Sequence, residues 1–168
     1  VGSEMCIRDS SGPTVSQTVA RMERDGLLTV TDNRHIQLSD EGRMLAIAVM
    51  RKHRLVERLL IDVIGLEWDL VHDEACRWEH VVSEDVEVRL VKILADVTES
   101  PYGNPIPGLE ALGVEAGDVE SLHVTQLTEA LRDEEPHTVV IRRMAETLQS
   151  DHDILEDLHK CGIRPGVT

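Results

Sequence analysis

The chain is 168 residues long, room for one domain or two small ones, and its 41% hydrophobic content includes no Phe, one Tyr and two Trp, so a core must be aliphatic and is best packed by helices. No apolar run approaches the ~18 residues of a membrane span, no charged-then-apolar leader opens the chain, and three scattered cysteines make no disulfide framework; a cytoplasmic protein without a membrane partner is expected. The formal charge of −15 argues against a uniformly basic nucleic-acid binder, yet residues 11–58 carry eight Lys plus Arg against six Asp plus Glu, while residues 59–168 carry eight against twenty-four, so a DNA-facing head on an acidic body stays open.

Residues 11–25, SGPTVSQTVARMERD, start with Ser, Gly and Pro and put Val15, Val19 and Met22 on one stripe, the pattern of a short amphipathic helix ended by Gly26. LLTVTDNRHIQLS then alternates as a strand, turns at Asp32 and Asn33, and returns as a second strand. Helix, hairpin, new helix is the order of a winged helix-turn-helix with the hairpin as wing.

From Asp40 to about Ile64 the spacing predicts a helix with Leu45, Val49, Leu55, Leu59 and Leu60 apolar, broken at Gly65. A second helix is expected from about Trp68 to Val82. A third runs from about Ser83 to Val97, with Ser83 as N-cap and Val86, Leu90, Ile93 and Leu94 inward. SPYGNPIPG reads as a loop. LHVTQLTEAL and TVVIRRMAETLQ read as strands joined by an acidic turn, before a last helix from about Ser150 to Lys160.

The chemistry concentrates on two of these helices. In HDEACRWEH, at about 100° per residue, His72, Cys76, Glu79 and His80 fall within an arc of about 100°. His53 and Glu57 are four apart on the preceding helix and therefore neighbours. Imidazole, thiolate and carboxylate in one place suit Fe(II), Co(II), Ni(II) or Zn(II) better than Mg(II) or Ca(II), and two helices could share the metal. Taken singly, each is more ordinary: a lone helical His is usually a satisfied or solvated side chain and a lone Cys a small buried hydrophobe. Cys6 and Cys161 read as incidental thiols. No CxxC pair marks a zinc finger.

With these elements in place, SGPTVSQTVARMERDGL, AVMRKHRLVERLL, HDEACRWEH, RLVKIL and GNPIPGL, in this order over roughly residues 11–165, resemble the iron-dependent repressors of the diphtheria toxin repressor family, actinobacterial type. The resemblance implies a homodimeric, Fe2+-activated transcriptional repressor of iron-homeostasis genes that binds double-stranded palindromic operator DNA, with Mn2+, Co2+, Ni2+ and Zn2+ as substitutes. The implied fold is mainly α with small β parts. It comprises a partial winged helix-turn-helix over 11–47, a helical metal-binding and dimerisation domain over 48–114, and a linker with an incomplete SH3-like domain over 115–168. Residues 1–10 match nothing in the family and resemble translated adapter sequence, and the chain is expected to be a fragment at both ends.

Carried over by position, the resemblance assigns His53, Glu57 and His72 to one metal site, completed by Glu146 and Gln149. It assigns Cys76, Glu79 and His80 to a second, activating site. That second site also takes a Met from the family's first helix, and Met5 does not match it. For DNA, Ser11, Pro13 and Gln17 would face the major groove, Thr14, Ser16, Arg21 and Arg24 the phosphates, and Arg34 the wing contact. The plain alternative makes Ser11 a helix cap and the arginines surface charges. HExxH, a Gly-rich phosphate loop and paired Ser and His are all missing, so no enzyme is expected. The competing readings are a metal-binding dimerisation module without DNA binding, a manganese-responsive regulator, which Cys76 argues against, and a metal-dependent hydrolase with Glu57 or Glu79 as base.

Overall fold

Helix α1, Gly12–Arg24, opens the computed structural model, which describes residues 12–115, 124–132 and 136–167. Val15, Val19 and Met22 are half-buried along its inner stripe. Two short antiparallel strands follow, β1 (Leu28–Val30) and β2 (Ile36–Leu38), with Leu28 opposite Leu38 and Val30 opposite Ile36. The hairpin tip is tightened by Thr31 N donating to His35 O at 2.9 Å, and Arg34 takes a left-handed φ of 63°. Glu23 of α1 accepts from Val30 N at 3.0 Å, which fixes the hairpin against the helix.

Helix α2 covers Asp40–Leu59 and is the spine of the molecule. The Ser39 hydroxyl caps it by accepting from Gly42 N, and Asp40 and Glu41 place negative charge on its positive end. It continues as a π-helical turn, Leu60–Ile64, that stops at Gly65, whose φ of 78° ends the run. Leu55 and Leu60 are buried as expected, but Leu45 is half exposed beside outward Met44 and Ile47.

Helix α3, Val71–Trp78, and helix α4, Glu84–Ile93, are both shorter than their sequence pattern. Trp68 precedes α3 because its ring is a core group: it packs on Tyr102 with centroids 4.9 Å apart, and Tyr102 Oη donates to Trp68 O at 2.7 Å. Helix α4 ends at Leu94, which is extended, and Asp96 then accepts from Thr98 N and Oγ1. Ser83 takes the N-cap position without a side-chain capping bond. Of the four residues expected inward, Leu90 and Leu94 are buried, whereas Val86 and Ile93 are exposed. The cause is Glu87. Fully buried, it pairs with Arg51 of α2 (Nε to Oε1, 2.8 Å) and centres the inward face on positions 87, 90 and 94, which turns 86 and 93 to the outside.

Successive residues of α2 feed two cores. Val56 joins Leu60, Trp68, Val71, Ala75, Tyr102, Met144 and Leu155, while Leu55 joins Leu90, Leu94, Ile106 and Leu109. The second core is closed by a 3-10 turn, Leu109–Leu112.

The strands expected after residue 121 are not found among the described residues. Leu127–Ala130 is a short helix, α5, and Glu146–Gln149 another, α6, with residues 138–145 irregular between them. Their β-branched residues favour strands, but the backbone is engaged elsewhere: Met144 N donates to Tyr102 O at 3.0 Å, and Ile141 exchanges bonds with Gly166 and Val167. Asp151 caps the last helix, α7, His152–Lys160, close to its expected span. Thus Met144 and Leu155 complete the core of the metal-bearing helices, although both lie beyond residue 114.

Gly103 makes that docking possible. It has φ 77°, and a Cβ there would lie 1.9 Å from Arg142 O. Gly103→Ala is expected to destabilise the chain by about 3 kcal/mol, from backbone strain plus the clash. A urea denaturation midpoint equal to that of the parent would contradict this close approach.

Candidate metal centre

Helix α2 supplies His53 and Glu57, α3 supplies His72 and Cys76, and Glu79 follows at the α3 C-cap. The i, i+4 spacing on each helix aims both pairs at the helix–helix seam. His53 Nε2 lies 2.8 Å from Glu57 Oε1, and His53 Nδ1 lies 2.8 Å from Glu79 Oε2. His72 Nδ1 is 3.2 Å from His53 Nε2 and 3.3 Å from Glu57 Oε1, and its Nε2 is 3.7 Å from Cys76 Sγ. One ligand atom from each of His53, His72 and Cys76 fits within 4.8 Å of the others. All but Cys76, which is half-buried, are shielded from solvent.

This geometry sets the protonation. Burial disfavours the charged form of His53, but the Glu57 charge and hydrogen bonds to Cys76, Glu57 and Glu79 outweigh it and hold the ring well above its ordinary value of 6.5. Burial likewise opposes charge on His72, and hydrogen bonds to Cys76 and Glu57 together with their charges still raise it to about 9. Glu57, pushed up by burial, is pulled down further by the charge and hydrogen bonds of His53 and His72, to about 2. Both rings are therefore biased toward the protonated form near neutrality, with His53 placed to donate to Glu57 and Glu79 and His72 to Glu57. Because Glu57 is depressed from 4.5 to about 2, its contribution to stability is complete above pH 4.5 and is lost as pH falls through 2. Thermal melts of the chelated chain should thus lose midpoint between pH 4.5 and 2 more steeply than those of Glu57→Gln. Parallel acid limbs would overturn that assignment.

The donor set also fits a cation. Six buried side-chain polar atoms lack a partner among the described residues, and four of them are acceptor oxygens: Glu57 Oε2, Glu79 Oε1, Glu146 Oε2 and Gln149 Oε1. Each orphaned acceptor costs on the order of 1–3 kcal/mol, and a divalent ion would relieve several at once.

The eight residues expected as ligands are not all gathered. His53, Glu57, His72, Cys76 and Glu79 form one connected cluster, so members of the two expected sites touch each other. The His80 ring is half exposed, 3.3 Å from Glu79 Oε1 without a hydrogen bond. Glu146 is paired with Arg54, and Gln149 is buried with Nε2 donating to Met144 O at 2.7 Å. Sequence reasoning gave no role to Arg54, which bonds both Pro105 O, in the loop read from SPYGNPIPG, and Glu146. Its position between His53 and Glu57 was the available signal.

Ser16, Gln17, Arg21 and Arg24 are exposed on α1, and Gln17, Arg21 and Arg24, at i, i+4 and i+7, line a shallow depression with Thr18 and Ala20. Arg34 is exposed at the hairpin tip. Pro13 and Thr14 lie in the first turn of α1, and Ser11 lies outside the described residues.

Fold and centre together define a winged-helix protein with a buried His–Cys–carboxylate cluster in its helical body. Residues 39–108 match the iron dependent repressor family's metal binding and dimerisation domain. The chain is 60% identical over 159 residues to the iron-dependent repressor IdeR of Mycobacterium tuberculosis, covering 94% of this chain and 68% of that protein. It is 54% identical over 158 residues to the diphtheria toxin repressor of Corynebacterium diphtheriae, covering 94% and 69%. A manganese-dependent transcriptional repressor solved in complex with manganese superposes with a TM-score of 0.76 at 28% identity, over 99% of this chain and 71% of that one. The chain belongs to the iron-dependent repressor family. Among the described residues no helix is long and apolar enough to cross a membrane.

Proposed function

We propose that this chain is a metal-dependent transcriptional repressor activated by Fe(II), acting as a homodimer on palindromic operator DNA. The observation that carries the metal reading is the convergence of His53, Glu57, His72, Cys76 and Glu79 from two helices, with acceptor oxygens on Glu57 and Glu79 that have no hydrogen-bond partner among the described residues. His53, Glu57 and His72, with Glu146 and Gln149 from α6, would hold one ion, and Cys76, Glu79 and His80 another. A bound divalent ion supplies positive charge shared by ligands of α2, α3 and α6. The chain's own part is to present those ligands from rigid helices and to give up their protons.

The division proposed is a DNA-binding part over 11–47, a metal-binding and dimerisation part over 48–114, and a C-terminal part over 115–168. Gln17 would read base edges, Arg21 and Arg24 would bind phosphates, and Arg34 would follow the wing toward the backbone. Val86 and Ile93, turned outward on α4, support an apolar contact with a second copy. Ligands on α2 link the centre to the hairpin directly, because α2 starts at the end of β2.

The test is anaerobic fluorescence anisotropy of a labelled palindromic duplex at fixed salt, with and without Fe(II). Binding that requires Fe(II) is expected; equal binding in both conditions would sink the reading. Arg21→Ala should weaken binding similarly across duplex sequences and lower the slope of log affinity against log salt by about 1. An unchanged slope would remove Arg21 from the interface.

A further inference from the structure

Glu146 has an arginine where its proposed role calls for a metal ion. Arg54 Nη2 donates to Glu146 Oε1 and Nη1 to Pro105 O, both side chains being mostly buried. Arg54 directly follows His53 and stands three residues, just under one turn, before Glu57. The other oxygen of Glu146, and Oε1 of Gln149 three residues on, have no hydrogen-bond partner among the described residues.

The rest of this segment is held without the ligand side chains' oxygens. Met144 O accepts from Asn104 Nδ2 at 2.8 Å and from Gln149 Nε2 at 2.7 Å, and Met144 N donates to Tyr102 O. Arg54 touches the same loop through Pro105 O. Helix α6 is therefore docked beside α2 already, and only the Glu146 carboxylate would need to change partner.

We propose that Arg54 is an internal counter-cation for Glu146, holding its carboxylate against α2 in the metal-free chain and yielding it to a divalent ion. The exchange sets the metal threshold of that site. It deepens the reading of Glu146 as a ligand, on which it rests. A guanidinium and a divalent ion compete for the charge of one carboxylate, so an ion that takes Glu146 through both oxygens does so at the expense of its pairing with Arg54. The displaced arginine keeps its bond to Pro105 O, which leaves the loop and the docked segment in place.

The full 168-residue chain is titrated anaerobically with Co(II), followed by the absorption of the bound ion, for the parent, Glu146→Gln, Arg54→Gln and the double variant. Glu146→Gln should weaken one binding step and so identify it. Arg54→Gln should tighten that same step by about two- to fivefold, the worth of a partly shielded ion pair, and the gain should vanish in the double variant. Amide exchange over residues 144–149 in the metal-free Arg54→Gln chain should be faster than in the parent and return to the parental rate with Co(II), which a purely structural anchor would not do. Arg54→Lys, retaining a charge but fewer donors, should tighten the step less than Arg54→Gln and keeps the test available if Arg54→Gln folds poorly. Unchanged or weaker binding in both Arg54 variants, with Glu146→Gln still weakening a step, overturns the exchange alone. No step responding to Glu146→Gln removes Glu146 as a ligand and the exchange with it.

Discussion

Cys76→Ala is expected to lower affinity for Fe(II) by about a hundredfold or more, exceeding the effect usual for groups that merely orient a ligand, and to abolish operator binding at Fe(II) concentrations that saturate the parent, because the Fe(II)-bound state is then no longer populated. The thiol is prepared for this role. Burial pushes it up, but hydrogen bonds to His53 and His72 and their positive charges pull it down from 9.0 to about 7, so a thiolate is available at neutral pH. It is also the one soft ligand in the cluster, and softness favours Fe(II), Co(II) and Zn(II) over Mn(II). Cys76→Asp should therefore lose more affinity for Fe(II) than for Mn(II). The side chain is only half-buried and lies outside the hydrophobic core, so the melting temperature of the chelated Cys76→Ala chain should stay within a few degrees of the parent's. Isotherms for Fe(II) that superpose on the parent's would remove Cys76 from the centre.

The helices of this protein were legible because their signals are local. Ser39 before an acidic first turn, Gly65 after the mostly apolar run 59–64 and Asp151 before an apolar repeat each mark an end by capping chemistry, and α2 and α7 lie close to where those residues put them. The hairpin was equally local. The ligand cluster was partly so, since i, i+4 spacing pairs His53 with Glu57 and His72 with Cys76 on their own helices whatever the tertiary fold.

What the sequence could not give depends on partners distant along the chain. Glu87 looks like a solvated charge until Arg51, on another helix, draws it inside and turns Val86 and Ile93 out. Residues 138–145 have strand composition, yet their hydrogen bonds go to Tyr102 and the C-terminal turn. The same limit applies to the centre: spacing separates Glu79 from His53 by 26 residues, and only the crossing of α2 and α3 brings them to 2.8 Å. Arg54 was marked only by its place between two candidate ligands, and that place does not say which carboxylate it pairs with.

Filling the centre should also release protons in a number that pH controls. Metal ligation needs neutral imidazole and thiolate. His72 is raised to about 9 and His53 well above 6.5, so both are protonated through neutrality, whereas Cys76 at about 7 changes state there. Near pH 6 saturation should release about three protons, one from each group, and near pH 8 fewer, because the thiol is by then mostly ionised. The overall constant for saturating the centre should accordingly fall about a thousandfold for each unit that pH drops below 7, and less steeply for a unit's drop above it. The sign follows from the shifts: a raised imidazole keeps its proton longer and so opposes the cation over a wider range, while the lowered thiol stops opposing it near pH 7. Anaerobic calorimetry with Co(II), in buffers of different ionisation enthalpy, counts these protons directly. Release of one proton or none at pH 6 would mean that the imidazoles are already neutral, and that the centre is not held together by the protons its ligands must surrender.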